Sequence, residues 1–151
     1  MSGSLSAYDA ILPGRWYHLA FSRSGSTIKG FLDGKQILSA SNSVNNTTWD
    51  KITIGGDYST ANALHGKISN FRYSASAVYT SDFTPPAANL TANSYTKLLT
   101  CQGSTITDAS TSSQSVTQRP LGASTVAVSY ANPFGTKGSV YFNKLNMPHD
   151  N

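Results

Sequence analysis

Residues 16–35 read WYHLAFSRSGSTIKGFLDGK, and this stretch decides the fold. Trp16 to Arg23 sets Trp16, His18, Ala20 and Ser22 against Tyr17, Leu19, Phe21 and Arg23, the two-residue period of a strand. Ser24-Gly25-Ser26 turns the chain into Thr27–Asp33, and Asp33-Gly34 is a two-residue hairpin signal leading into Lys35–Ser39. The stretch therefore predicts a three-stranded antiparallel meander, with Trp16 in its core. His18 falls mid-strand beside Trp16 and Ala20 and reads as a hydrogen-bonded sheet residue rather than a catalytic base. Asp33 reads as a turn stabiliser, because a carboxylate there can accept from nearby backbone N–H groups.

Working outward, the 151-residue chain suits one domain, or one domain and a fragment. A fold of this size buries about 68–70% of its unfolded surface, so a core forms without disulfides. The single cysteine, Cys101, excludes an intramolecular disulfide framework and a cysteine-rich zinc site, and it reads as a small apolar strand residue. Ser, Thr and Asn supply about a third of the chain, and glutamate is absent. With few helix formers and many Thr, Tyr, Val, Ile and Phe, the composition favours sheet. The net charge of +4 comes from few acids, and the lysines are scattered rather than blocked, so nucleic-acid binding is not expected. No basic segment followed by an apolar run opens the N-terminus, so no signal peptide is expected. No apolar window is long enough for a membrane helix, and no membrane partner is expected.

Beyond the meander, Ala40–Thr48 is a polar loop and Lys51–Ile54 alternates as a strand up to Gly55-Gly56. Gly66–Tyr73 reads as a strand bulged near Ser69-Asn70. Pro85-Pro86 ends sheet pairing, and Tyr95–Gln102 is a further strand. Gly103–Ser129 carries few large apolar groups and reads as extended connecting chain, and Gly138–Leu145 is a short terminal strand. The expected organisation is a sandwich portion over residues 1–102, a Ser/Thr-rich connection over 103–137 and a terminal strand and tail over 138–151.

In order, WYHLAFSRSG (16–25), FLDG (31–34), ITIGG (52–56) and HGKISNFR (65–72) resemble the second half of a laminin-G-like, concanavalin-A-type jelly roll. The following VYTSDFTPP (78–86), NLT (89–91) and LLTCQ (98–102) resemble the version found in virion proteins of tailed bacteriophages. The resemblance covers about residues 14–102 and implies an all-β antiparallel β-sandwich, the jelly roll. Its first half has no counterpart before Trp16, while GSVYF, an opening strand of such domains, stands at 138–142. The fold is thus expected to be incomplete, or completed when Gly138–Leu145 pairs onto the meander in its own chain or a neighbour. A bare half sandwich would leave apolar faces and strand edges open.

The resemblance implies a non-enzymatic virion structural or adhesion protein, a phage capsid decoration or fibre component. The alternative is a carbohydrate-binding lectin module. Localisation would be the virion, assembled in the host cytoplasm, with other virion subunits and further copies of the chain as partners and a cell-surface glycan as ligand. Glycosidases on such sandwiches need paired carboxylates, and the sequence has no glutamate and no closely spaced aspartates. For sugar contact, Trp49, Asp57 and Tyr58 stand out, because aromatic rings stack on sugars and Asp57 opens a loop. Tyr130, Tyr141 and Phe142 are the candidate interface residues. No metal site is expected: calcium needs about six to eight oxygen ligands, and these isolated acids could supply them only by converging in space.

Overall fold

The computed structural model describes residues 11–44, 51–56, 64–118, 125–129, 133–134 and 139–143. Among these every regular element is a strand: β1 (Leu19–Ser24), β2 (Thr27–Leu32), β3 (Lys35–Ser41), β4 (Gly66–Ile68), β5 (Phe71–Ser74), β6 (Thr96–Thr100), β7 (Thr125–Ser129) and β8 (Ser139–Asn143). They form three sheets, ordered β1-β2-β3, β4-β8-β7 and β5-β6. The chain divides into two compact units, Met1–Thr48 with Ser74–Ala87, and Trp49–Tyr73 with Ala88–Asn151.

In the first unit the meander forms as its turns dictate. Ser24 pairs with Thr27 across Gly25-Ser26, and Gly25 at φ 58° supplies the positive dihedral that a II′ turn needs at its first central position. Leu32 pairs with Lys35 across Asp33 (φ 47°) and Gly34 (φ 80°), the double positive φ of a I′ turn. Between Gly30 and Phe31 the register slips, because Gly30 faces Leu38 while Phe31 faces Gln36, leaving Ile37 as the extra residue of a bulge. The first strand starts later than the alternation suggests: Trp16, Tyr17 and His18 precede β1, and Trp16 is only half-buried. Among the described residues, the fully buried aromatic is Phe31, at 0% exposure.

Residues 77–86, the strap below, run over the meander face that carries Phe31. Tyr79 and Phe83 stack on each other with centroids 3.6 Å apart. Phe31 meets the Phe83 ring edge-on at 5.4 Å, and His18 meets the same ring at 5.3 Å. His18 is therefore part of an aromatic cluster rather than a mid-strand residue. Its backbone N–H donates to Asp33 Oδ1 at 2.8 Å, and Arg15 bridges Asp33 Oδ2 at 2.5 Å. Asp33 thus fastens the incoming chain to the turn as well as shaping it. On the opposite meander face Leu19 is 55% and Phe21 67% exposed.

The second unit departs further from the sequence reading. Lys51–Ile54 is not a strand. The expected single strand over Gly66–Tyr73 is two, β4 and β5, in different sheets. They part at Asn70, whose φ of 56° no strand accommodates. Cys101, expected within a strand, lies just past β6 in the left-handed region at φ 62° and is 2% exposed. The stretch read as connecting chain contains β7. The terminal strand does pair within its own chain, but with β4 (Gly66↔Phe142, Ile68↔Val140) and β7 (Thr125↔Asn143, Ser129↔Ser139) instead of with the meander. Its β-branched and aromatic run made a strand legible, whereas its partner depends on a contact far away in sequence.

Thr96, Leu98, Leu99 and Thr100 of β6 are all buried, so β6 forms the core of this unit. Polar knots fasten it. Asn70 Nδ2 donates to Ser69 Oγ at 2.9 Å and to Asn89 Oδ1 at 3.1 Å. Asn70 Oδ1 accepts from Leu90 N at 2.8 Å and Gln102 Nε2 at 2.7 Å. Asp108 Oδ1 accepts from Leu99 N at 2.9 Å, while the Ala109 N–H donates to Leu99 O at 2.7 Å. These two residues satisfy the Leu99 backbone as a neighbouring strand would.

Candidate functional site

Cross-strand partners in an antiparallel pair share a face. Ser22 pairs with Lys29 and Ser24 with Thr27, so β1 and β2 bring three hydroxyls and an ammonium to the face that the strap crosses. Several bonds hold the strap there. Lys29 Nζ donates to Thr80 O at 2.7 Å, and the Gln36 N–H to Asp82 Oδ1 at 2.9 Å. Lys35 Nζ bridges Asp82 Oδ2 at 3.2 Å, and the Phe83 N–H donates to Gly34 O at 2.9 Å. The Gln36 N–H and then the Lys35 ammonium hold the Asp82 carboxyl below the ordinary carboxylate range.

Gly34 is fixed twice over. Its φ suits glycine, and a Cβ there would collide with the Phe83 carbonyl oxygen. The same turn that closes the hairpin thus seats the strap.

Between strap and strands lies a groove of about 230 Å³, lined by Ser22, Ser24, Thr27, Lys29, Tyr79 and Thr80. Hydroxyls there can donate and accept, the ammonium has three donors, and Tyr79 adds a ring. Ser22 Oγ is withdrawn from solvent and has no hydrogen-bond partner among the described residues. Among the described residues, no carboxylate lines the groove. Such a lining suits a polyhydroxylated ligand held by hydrogen bonds.

Of the residues singled out from the sequence, Trp49, Asp57, Tyr58 and Tyr130 lie outside the described residues. Tyr141 and Phe142 fall in β8, opposite Lys67 and Gly66 of β4. Tyr79 is half-buried in the stack with Phe83. The groove residues were not singled out. Ser22, Ser24, Thr27 and Lys29 could have been found by folding the Ser-Gly-Ser turn into its two-residue register, which places all four on one face. The crossing by Tyr79-Thr80 had no such signal. Among the described residues, no three His, Cys, Asp or Glu side chains converge as a metal would require.

A family model described as the concanavalin A-like lectin/glucanases superfamily, of laminin G type, matches residues 4–83. That is just over half of the 151 residues, and the chain belongs to this family. The match ends at Phe83 of the aromatic stack and begins ahead of the span on which the motif resemblance rests. The all-β architecture with antiparallel sheets fits the jelly-roll β-sandwich of such domains. The family joins lectins to glucanases, and a carbohydrate-binding or adhesion module fits it. No curated protein and no solved structure gave a significant match.

Proposed function

We propose that this protein is a non-enzymatic adhesion module whose groove between strap and meander holds a glycan, and that it serves on a tailed-phage virion as a capsid decoration or fibre component. The observation that carries the glycan reading is the hydroxyl-lined groove in a member of a lectin and glucanase family. Its non-enzymatic character is supported by charge placement. Glutamate is absent from the sequence, and Asp33 and Asp82, the carboxylates beside the meander, are engaged by Arg15 and Lys35. The virion setting is supported by the ordered motifs from Val78 to Gln102. Assembly with other virion subunits and with copies of this chain is supported by the exposure of Leu19 and Phe21 on the meander face opposite the strap.

A glycan array probed with the full chain tests the binding. Retention of at least one oligosaccharide is expected, with loss in the Ser22→Ala, Thr27→Val double variant. Absence of retention on a broad array removes the lectin reading. Gold-labelled antibody on purified particles tests the setting: label on heads or fibres is expected, and unlabelled particles remove the virion role. Trp49→Ala and Tyr58→Ala distinguish the groove from the loop residues first suggested by the sequence. Unchanged retention in both variants is expected.

A further inference from the structure

The groove carries a charge that no carboxylate among the described residues pairs with. Lys29 Nζ hydrogen-bonds a neutral carbonyl, Thr80 O at 2.7 Å, which leaves two of its three donors unused. Lys29 makes no ion pair among the described residues. The described carboxylates of this unit are committed elsewhere, Asp33 to Arg15 and the His18 N–H, and Asp82 to Lys35 and the Gln36 N–H. Asp82 feels the Lys29 charge through space, yet it does not line the groove. The remaining lining is hydroxyl and ring, with the Ser22 hydroxyl withdrawn from water and unpartnered.

A neutral sugar would use the hydroxyls and leave the ammonium unmatched. A sugar carrying a carboxylate or sulfate would match both, and a hydrogen bond between two charged groups is stronger than one between neutral groups. We infer that the groove selects anionic saccharides, with Lys29 as the residue that reads the negative charge and Ser22, Ser24 and Thr27 as those that hold the ring hydroxyls. This inference rests on the glycan reading above and assigns the ligand class of that same site.

The test uses the full chain and three matched probes, a galactose oligomer, the corresponding galacturonate oligomer and a sulfated galactose oligomer, titrated at low and high salt. At least one anionic probe is expected to bind roughly tenfold or more tightly than the neutral one, the size of one charge-assisted hydrogen bond. That advantage should shrink as salt screens the exposed charge. Lys29→Gln should abolish the advantage, weakening anionic binding by a larger factor than neutral binding, and Lys29→Arg should keep it. Preference for the uronate alone or the sulfate alone supports the inference and names the anion. Equal binding of all three probes overturns it while leaving the glycan reading in place. So does an equal loss of neutral and anionic binding in a Lys29→Gln variant whose thermal unfolding matches the wild type. If none of the three binds, while the array retains other sugars, the anionic assignment falls alone. If nothing is retained anywhere, both readings fall.

Discussion

The two units of this chain are held by different kinds of force. In the first, ring packing and tight turns dominate: Phe31, His18, Tyr79 and Phe83 form one cluster, and Asp33-Gly34 both closes a hairpin and seats the strap. In the second, side-chain amides and a carboxylate tie irregular segments around the buried strand β6, with Asn70, Gln102 and Asp108 as the ties. The turns of the first unit follow from local chemistry that a short window displays, although its ring cluster needs the strap as well. The ties of the second unit follow from polar groups that acquire value only once distant backbone needs partners.

Gly34→Ala should break the first unit hardest. The new Cβ meets the Phe83 carbonyl and the positive φ strains any side chain, so a loss of roughly 3 kcal/mol or more is expected. Thermal unfolding would measure it, and hydrogen exchange should show residues 77–86 opening before β6. Uniform protection changes would mean that the strap does not depend on the turn.

Asn70→Ala attacks the second unit and should cost about 2 kcal/mol, from the lost hydrogen bonds and the strained φ together. Asn70→Gly removes the strain but not the lost bonds, so it should recover only part of the loss. Full recovery would show that backbone conformation, not the polar knot, joins these segments.

Acid should loosen the second unit in a window set by Asp108. Burial pushes its carboxyl up, but the N–H groups of Leu99, Gln114 and Ser110 and the Ser110 hydroxyl outweigh that and hold it at about 2, against 3.8 for the free group. A depressed folded value means that the ionised form stabilises the fold. The contribution is complete above pH 3.8 and fades as pH falls towards 2. Asp108→Asn should flatten that part of the stability profile, as followed by denaturant midpoints between pH 5 and pH 2. An unchanged slope would remove Asp108 as the cause.

The smallest effect concerns Cys101. Burial raises its thiol to about 11, with the Thr100 hydroxyl opposing, so the native protein should resist a thiol reagent at pH 8. Labelling is expected only after denaturation. Rapid native labelling would show that the β6 end opens far more readily than its burial implies.

The same contrast explains what the sequence revealed. Ser24-Gly25-Ser26 and Asp33-Gly34 announced the meander and its register, because a two-residue turn with positive φ leaves few alternatives. GSVYF announced β8, but nothing in residues 139–143 indicates Gly66–Ile68 as its neighbour. Asn70 looked like a bulge residue, and only the four bonds of its side chain show why the strand ends there. At the groove, the hydroxyls and Lys29 were readable from register alone. The strap that closes the groove was not, because Tyr79 reaches Phe31 only across some fifty residues of chain.

The strap has a consequence for the order of synthesis. β3 ends at Ser41, whereas Tyr79 and Phe83 belong to a segment made only after the chain has passed through the first part of the other unit. At about 5–20 residues per second, some forty residues take roughly 2–8 s to emerge. A hairpin folds in microseconds. The newborn meander therefore waits on the ribosome with Phe31 uncovered, and during those seconds a chaperone could hold the face that later becomes the groove.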